Sequence, residues 1–156
     1  MTLPPEIKRV IAGKKAKSGG DEFERQFARA ASLEGYDVEK LPLGARQYAQ
    51  NVLKRVPMPF DFIICRKGKA VFLDTKTTES NTFIFSAIKE HQLNALLRKE
   101  RAGCLGGYVV YFRTLNRIIF FPAWKLATVR RLESLKPEDG MDLGTIFEMK
   151  IGRLTE

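Results

Sequence analysis

Two aspartates and a lysine lie within two short apolar runs of the chain. Asp61 stands inside the run 60–64 (FDFII), and twelve residues separate it from Asp74, which is followed by Thr75 and Lys76 at the end of the run 71–76 (VFLDTK). An unpaired carboxylate among bulky apolar side chains is expensive to desolvate. A divalent cation and a neighbouring lysine would offset that penalty, so the spacing predicts a metal site.

Both runs have the composition of β-strands, and residues 66–69 (RKGK) between them are typical of a hairpin turn. Alternation along the second strand places Asp74 and Lys76 on one face. Pairing of the two strands would bring Asp61 close enough to Asp74 to share a hard cation. Mg²⁺ favours one or two carboxylates with water and substrate phosphate, and the Thr75 carbonyl is the natural third protein ligand. Lys76 would stabilise charge that develops on a scissile phosphate. For Asp-x-Lys alone, a simple ion pair at a strand end is the alternative.

Two predicted helices carry further polar candidates. The segment from Asp21 to about residue 33 is predicted to be a helix, and Glu24 lies at the margin of its apolar face. A second helix, over about 86–101, places Gln92 within its apolar arc. A glutamine facing inward needs hydrogen-bond partners. It either orients an attacking water at the metal site or is a buried structural residue bonded to backbone.

Positive charge is grouped along the sequence. The chain has 156 residues, the size of one domain, and a formal charge of +9. Its excess basic residues fall in three stretches, 1–20, 40–56 and 113–131, the last two without any acid. Grouped positive charge is typical of proteins that bind a polyphosphate. Together with the metal site, this charge distribution indicates an enzyme acting on nucleic acid, although a basic excess alone also serves solubility.

The remaining composition excludes several classes of protein. Cys65 and Cys104 are unrelated thiols in apolar contexts, which argues against a Cys/His zinc site and favours a reducing, intracellular compartment. His91 is the only histidine, so nucleases built on histidine pairs are excluded. No stretch approaches the roughly 20 apolar residues of a membrane span, and the N-terminus lacks a signal-peptide core.

The rest of the chain is predicted to complete one mixed α/β domain. Residues 1–20 form a basic, flexible arm and 21–156 the domain, with 42–57 a short stalk or a protruding, partly helical loop. The other predicted elements are strands at about 36–41, 105–113, 117–121 and 146–151 and a helix over about 123–135.

Several of these residues together resemble a known group of enzymes. The segment 20–24 (GDEFE), Asp61, the segment 74–78 (DTKTT) and the segment 90–92 (EHQ) are similar to motifs of the PD-(D/E)XK nuclease superfamily, and most similar to RecU-type Holliday junction resolvases. The resemblance covers about residues 18–126. It implies a restriction-endonuclease-like core, with a central mixed β-sheet flanked by helices. It also implies a homodimeric, Mg²⁺-dependent DNA endonuclease that resolves four-way junctions in the cytoplasm of a bacterial or phage-infected cell, with Mn²⁺ as a substitute metal.

The resemblance also assigns roles to individual residues. The implied catalytic set is Glu24, Asp61, Asp74, Lys76 and Gln92, and the metal ligands are Asp61, Asp74, Thr75 and Glu24. The residues expected to contact DNA, mostly chosen from the charge distribution, are Lys14, Lys15, Lys17, Arg46, Lys54, Arg55, Thr77, Arg113 and Arg117.

Two departures from the family pattern bear on the substrate. Phe60 separates Pro59 from Asp61, so the literal Pro-Asp pair is absent, and the 42–57 connection is shorter than the stalk of RecU-type enzymes. Two alternatives therefore stay open: another PD-(D/E)XK endonuclease of restriction or repair type, or a catalytically silent DNA-binding module of the same fold.

Overall fold

The computed structural model describes residues 20–41, 45–49, 52–56, 59–129 and 134–156, and the side chains of 45–49, 52–56 and Phe85 lie outside this description. The predicted basic arm, with Lys14, Lys15 and Lys17, also lies outside the described residues. In chain order the strands are β1 (Asp37–Lys40), β2 (Ala45–Ala49), β3 (Val52–Val56), β4 (Phe62–Arg66), β5 (Lys69–Thr78), β6 (Phe83–Ile84), β7 (Leu105–Phe112), β8 (Arg117–Pro122), β9 (Ser134–Leu135) and β10 (Met141–Asp142). The α-helices are α1 (20–33), α2 (Glu90–Arg101) and α3 (Ala123–Thr128).

Within the described residues, six strands form one mixed sheet in the order β1-β4-β5-β7-β8-β10. The central pair, β5 and β7, is parallel, and its other neighbours pair antiparallel. Parallel neighbours need a crossover connection, which α2 supplies. The predicted mixed sheet flanked by helices is therefore confirmed.

The register of the β4–β5 hairpin determines where the two aspartates lie along the sheet. Lys67 and Gly68 have φ values of 52° and 77°, as a tight hairpin turn requires. Pairing runs from Arg66 opposite Lys69 to Phe62 opposite Leu73. Because β4 begins at residue 62 whereas β5 continues to residue 78, the second half of β5 has no β4 residue opposite it.

The sheet buries a hydrophobic cluster on each face. On one face α1 packs against strand residues such as Phe62 and Leu73, together with the C-terminal segment. On the other face α2 and α3 pack against residues that include Tyr108 and Phe121. Alternation along β5 places Leu73 in the first cluster and Phe72 against the second. Asp74 and Lys76 therefore belong to the α2 face.

Two adjacent glycines in β7 allow neighbouring elements to approach this strand closely. A Cβ at Gly106 would stand 3.0 Å from the backbone oxygen of Leu96, which lies one turn after Gln92 in α2. A Cβ at Gly107 would come within 2.3 Å of the Phe121 backbone oxygen. Gly106 therefore lets α2 lie close to the sheet, near enough for its polar groups to contact β5, whereas Gly107 makes room for β8. No helix among the described residues is both long and apolar enough to cross a membrane.

Within residues 42–57, the described segments 45–49 and 52–56 form an antiparallel hairpin and no helix. β2 and β3 pair from Ala45 opposite Val56 to Ala49 opposite Val52, as a two-stranded sheet of their own. The β-branched and aromatic residues of these segments favour strand over helix. The helical part of this prediction was therefore wrong.

The C-terminal third also differs from its prediction. α3 ends at Thr128 and residues 134–135 pair with β6, so the helix predicted over 123–135 is wrong in its second half. The edge strand is β10, whereas 146–148 are bends and Ile151–Thr155 is a 3₁₀-helix. Gly144 turns the chain there with φ +97°, and a Cβ would lie 2.2 Å from the Glu148 backbone oxygen. Ile146, Met149 and Ile151 pack onto the α1 face, Phe147 is exposed, and Met149 forms one isolated antiparallel bridge with Gly144. No continuous strand forms over 146–151, so the apolar spacing gave a false strand signal.

Candidate active site

Asp74 and Lys76 form an ion pair on the α2 face of β5. Lys76 Nζ lies 3.1 Å from Asp74 Oδ2, and the two side chains are 22% and 1% exposed, respectively. The predicted common face is therefore confirmed. The carboxylate is buried, whereas the ammonium group stands at the boundary between the interior and solvent.

Gln92 connects the two members of this pair. Its Nε2 donates to Asp74 Oδ1 at 3.4 Å, and its Oε1 accepts from Lys76 Nζ at 3.5 Å. Gln92 is buried in the first turns of α2, as its place in the apolar arc predicted. Its partners are the side chains of Asp74 and Lys76, so it is not the backbone-bonded glutamine of the alternative interpretation.

Asp61 extends the hydrogen bonding of β5 beyond the end of β4. Its Oδ2 accepts from the Thr75 N–H at 2.8 Å and from the Thr75 hydroxyl at 2.9 Å. The N–H and C=O of one residue in a strand point to the same edge. The Thr75 carbonyl therefore points to the edge on which the Asp61 carboxylate lies.

Glu24 lies near this group but has a different partner. Its Oε2 is 3.1 Å from Lys40 Nζ, with the Glu24 side chain 21% exposed and that of Lys40 52% exposed. Burial and, after it, the charge of Asp61 raise the pKa of Glu24, while the ion pair with Lys40 opposes that rise. α1 thus brings the predicted acid to the edge of the site.

Asp74 is a buried carboxylate close to a second carboxylate, Asp61. Burial and then the charge of Asp61 raise the pKa of Asp74 to about 7, although Lys76 acts in the opposite direction. Asp74 Oδ2 is buried and accepts no well-directed hydrogen bond from the described residues, despite the nearby ammonium group. Ionised Asp74 is therefore incompletely compensated by the protein.

The available donors fit a hard cation. Carboxylate oxygens of Asp61 and Asp74 and a strand carbonyl are the ligand types that Mg²⁺ prefers, together with retained water. Across the described ranges, no three Asp, Glu, His or Cys side chains are grouped as a ready metal cluster. The structure thus brings together two carboxylates, a lysine and a glutamine, and leaves the third carboxylate, Glu24, with Lys40.

Three predicted DNA contacts can be located together with their side chains. Thr77 follows Lys76 on β5; Arg113 pairs with Glu79 and Arg117 with Asp142, both at 3.6 Å. Pairs this exposed are weak and leave the cations accessible to a phosphate. The side chains of Arg46, Lys54 and Arg55, in the β2–β3 hairpin, lie outside the described part of the chain.

Two residues near the site were missed by sequence reasoning. Lys40 ends β1 and was counted only as part of a basic stretch. Tyr108 stands opposite Asp74 in the β5–β7 pairing; its hydroxyl is buried and has no hydrogen-bond partner among the described residues. Burial and the charge of Asp74 raise the pKa of Tyr108. The Lys40 contact depends on the packing of α1 beside β1, and the Tyr108 contact depends on the order of the strands. Neither can be inferred from the residue type alone.

Comparison with solved structures identifies the fold. The chain matches Hjc of Archaeoglobus fulgidus, a Holliday junction resolvase from an archaeal hyperthermophile, with a TM-score of 0.59 and 14% sequence identity over 79% of this chain and 95% of that one. At this identity the match shows the fold, which is the α/β fold of PD-(D/E)XK-type nucleases. No curated protein matched the chain.

The sequence itself gives the family. The family "Recombination protein U" (RecU) matches residues 43–148, about two thirds of the chain. The chain belongs to the RecU family. The matched region includes Asp61, Asp74, Lys76 and Gln92, whereas Glu24 and Lys40 precede it.

Proposed function

We propose that this protein is a Mg²⁺-dependent endonuclease that resolves four-way DNA junctions by hydrolysing phosphodiester bonds. The observation that carries the proposal is the connected group of Asp74, Lys76 and Gln92 beside Asp61. A protein that only bound DNA would gain nothing from two neighbouring carboxylates directed at a polyanion. Membership of the RecU family and the fold shared with a Holliday junction resolvase support the junction as substrate.

Asp61, Asp74 and the Thr75 carbonyl would hold the cation, with Glu24 assisting at the edge of the site. When bound, Mg²⁺ supplies polarisation of the phosphate and acidification of the attacking water. The two hydrogen bonds from Thr75 to Asp61 Oδ2 fix that carboxylate and leave Oδ1 for other partners. The protein would thereby hold this metal ligand in place before the metal binds.

Lys76 and Gln92 would act on the reacting groups. Lys76 is partly exposed beside the buried Asp74, so its ammonium group can face a phosphate from the solvent side and stabilise its developing charge. Gln92 holds the carboxylate and the ammonium group with opposite ends of one amide. Either end can be redirected to orient the attacking water.

The basic residues would bind backbone phosphates. The excess positive charge provides salt-dependent affinity without reading base sequence, as a structure-specific enzyme requires. A four-way junction presents symmetric strands, so we further propose a homodimer in which each copy cuts one strand. DNA as substrate implies an intracellular site of action.

A substrate panel tests this function. The wild-type protein and Asp37→Asn, a control at the far end of β1 (Asp37 pairs with Cys65), are incubated with a four-way junction, a Y-fork, a duplex and a single strand. The proposal predicts Mg²⁺-dependent, symmetric cuts in the junction and little cutting of the duplex.

The other outcomes separate the alternatives. Equal cutting of plain duplex would reject junction specificity and indicate an endonuclease of restriction or repair type. Binding to DNA without cutting, in both Mg²⁺ and Mn²⁺, would indicate a silent binding module.

A further inference from the structure

Lys40 stands where the site meets the end of β1. Its backbone pairs with Phe62 at the start of β4, and the next residue, Leu41, donates its N–H to the Asp61 carbonyl at 2.8 Å. From this position its ammonium group reaches across to Glu24 on α1, 3.1 Å away. Lys40 therefore connects the first helix to the strand that precedes Asp61.

Electrostatics explains why Glu24 and Lys40 form an ion pair. Glu24 is partly buried near the negative charge of Asp61, so its ionised form is disfavoured unless a cation approaches. The side chain of Lys40, at the end of strand β1, provides that cation. The Glu24 carboxylate thus has a positive partner within the protein itself.

A divalent cation bound at Asp61 and Asp74 would also attract the Glu24 carboxylate. One carboxylate oxygen cannot keep a close ammonium partner and also enter the coordination shell of a metal without rearrangement. The described carboxylates are correspondingly not gathered into one ligand cluster. The exposed, flexible side chain of Lys40 can leave, because a partly exposed ion pair is held only weakly.

We propose that Lys40 is a positioning residue that occupies Glu24 in the metal-free protein and competes with the divalent cation for this carboxylate. The inference rests on the proposed metal site at Asp61 and Asp74. It gives Lys40 a defined effect: it raises the metal concentration needed to assemble the complete site. Glu24 joins that site only when its ammonium partner is displaced.

The test is Mn²⁺ binding to DNA-free protein, measured from the electron paramagnetic resonance signal of the unbound ion. Lys40→Met removes the competitor and should tighten Mn²⁺ binding by about three- to tenfold. Lys40→Arg keeps a cation and should stay within about twofold of wild type. Lys67→Met, in the hairpin turn at the opposite end of β4, controls for the general loss of one positive charge and should have no effect.

A double-mutant cycle tests whether Lys40 acts through Glu24. In a Glu24→Gln background, Lys40→Met should change Mn²⁺ affinity by less than about twofold, because the contested carboxylate is gone. An equal tightening in both backgrounds would overturn the proposal, since Lys40 would then act only as a nearby charge. Unchanged or weaker Mn²⁺ binding by Lys40→Met in the wild-type background would also overturn it.

Asp74→Asn separates this inference from the proposed function. If Asp74→Asn loses Mn²⁺ binding and Lys40→Met does not tighten it, the metal site stands and only the role of Lys40 is wrong. If wild-type protein and Asp74→Asn bind Mn²⁺ equally, the proposed metal site is wrong and the role of Lys40 is rejected with it.

Discussion

Lys76 Nζ lies 3.1 Å from Asp74 Oδ2, and this lysine contacts an aspartate that is almost completely buried. The pair links the chemistry of the site to the stability of the fold, because removing one member of such a pair leaves the other charge uncompensated. Substitutions at Asp74 or Lys76 are therefore expected to change the free energy of unfolding of the metal-free protein.

Lys76→Met should destabilise the metal-free protein at pH 8 by about 3 kcal/mol, because ionised Asp74 loses its cation. The loss should shrink at pH 5, where Asp74, with its pKa raised to about 7, is protonated. Urea denaturation in the presence of EDTA measures both values. Lys67→Met, in the exposed hairpin turn, is the control, and an equal loss at pH 5 and pH 8 would rule out the electrostatic explanation.

Asp74→Asn should reveal how the buried carboxylate affects stability across pH. The folded protein has a raised pKa of about 7 for Asp74, compared with the ordinary 3.8. Between these values the folded state binds a proton that the unfolded state does not. The resulting stability is present below the ordinary pKa and is lost as pH rises through 7.

Wild-type protein should therefore lose free energy of unfolding relative to Asp74→Asn as pH rises from about 4 to about 8. Urea titrations of metal-free protein at several pH values measure this difference. A difference that does not change with pH would show that Asp74 is not held protonated by the fold.

The C-terminal segment is attached to the core by Glu34 and Arg66. Glu34 accepts from the Ile151 N–H at 2.8 Å and from the Gly152 N–H at 2.9 Å, at the start of the C-terminal 3₁₀-helix. Arg66 donates to the Glu34 carbonyl and to the Thr155 hydroxyl, both at 3.0 Å. The C-terminal residues that Glu34 and Arg66 hold lie beyond residue 148, where the family match ends.

Glu34→Ala should lower the free energy of unfolding by about 1–3 kcal/mol, since two backbone N–H groups lose a charged acceptor. Cleavage by the folded fraction should be unchanged, because the attachment lies at the opposite end of the β4–β5 hairpin from Asp61. Chemical denaturation and a cleavage assay measure the two effects. Glu39→Ala, an exposed glutamate in β1, is the matched control, and equal stabilities of the two variants would contradict the assigned role.

Tyr108→Phe should leave stability unchanged or raise it slightly. The hydroxyl is buried without a hydrogen-bond partner among the described residues, so its removal relieves an unsatisfied polar group and preserves the ring. Thermal unfolding measures the effect. Tyr111→Phe is the matched control on the same strand, because the Tyr111 hydroxyl donates to Asn116. A loss of more than about 1 kcal/mol in Tyr108→Phe would mean that the hydroxyl has a partner in solution.

The central part of the site could be predicted because local rules fix it. Alternation places Asp74 and Lys76 on one face whatever the rest of the sheet does, and the Lys67-Gly68 turn fixes the register that brings Asp61 beside them. The helical period likewise directs Gln92 inward. Each of these inferences needs only neighbours that are close in sequence.

The features that the sequence did not reveal depend on long-range contacts. The Glu24–Lys40 pair requires α1 to lie beside the end of β1, and the attachment of Glu34 to Ile151 joins residues at opposite ends of the domain. Ile146, Met149 and Ile151 meet the core in an irregular segment, whereas Phe147 is exposed. The spacing of apolar residues there indicates neither the backbone shape nor the burial of each side chain.

Whether Asp74 binds the metal used for cleavage is tested most directly by comparing Asp74→Asn with Asp37→Asn on a four-way junction in Mg²⁺. Asp74→Asn should cut the junction at least about 10³-fold more slowly while binding it within about threefold of wild type. Asp37→Asn should cut normally. Full Mg²⁺-dependent cleavage by Asp74→Asn would contradict the assigned site.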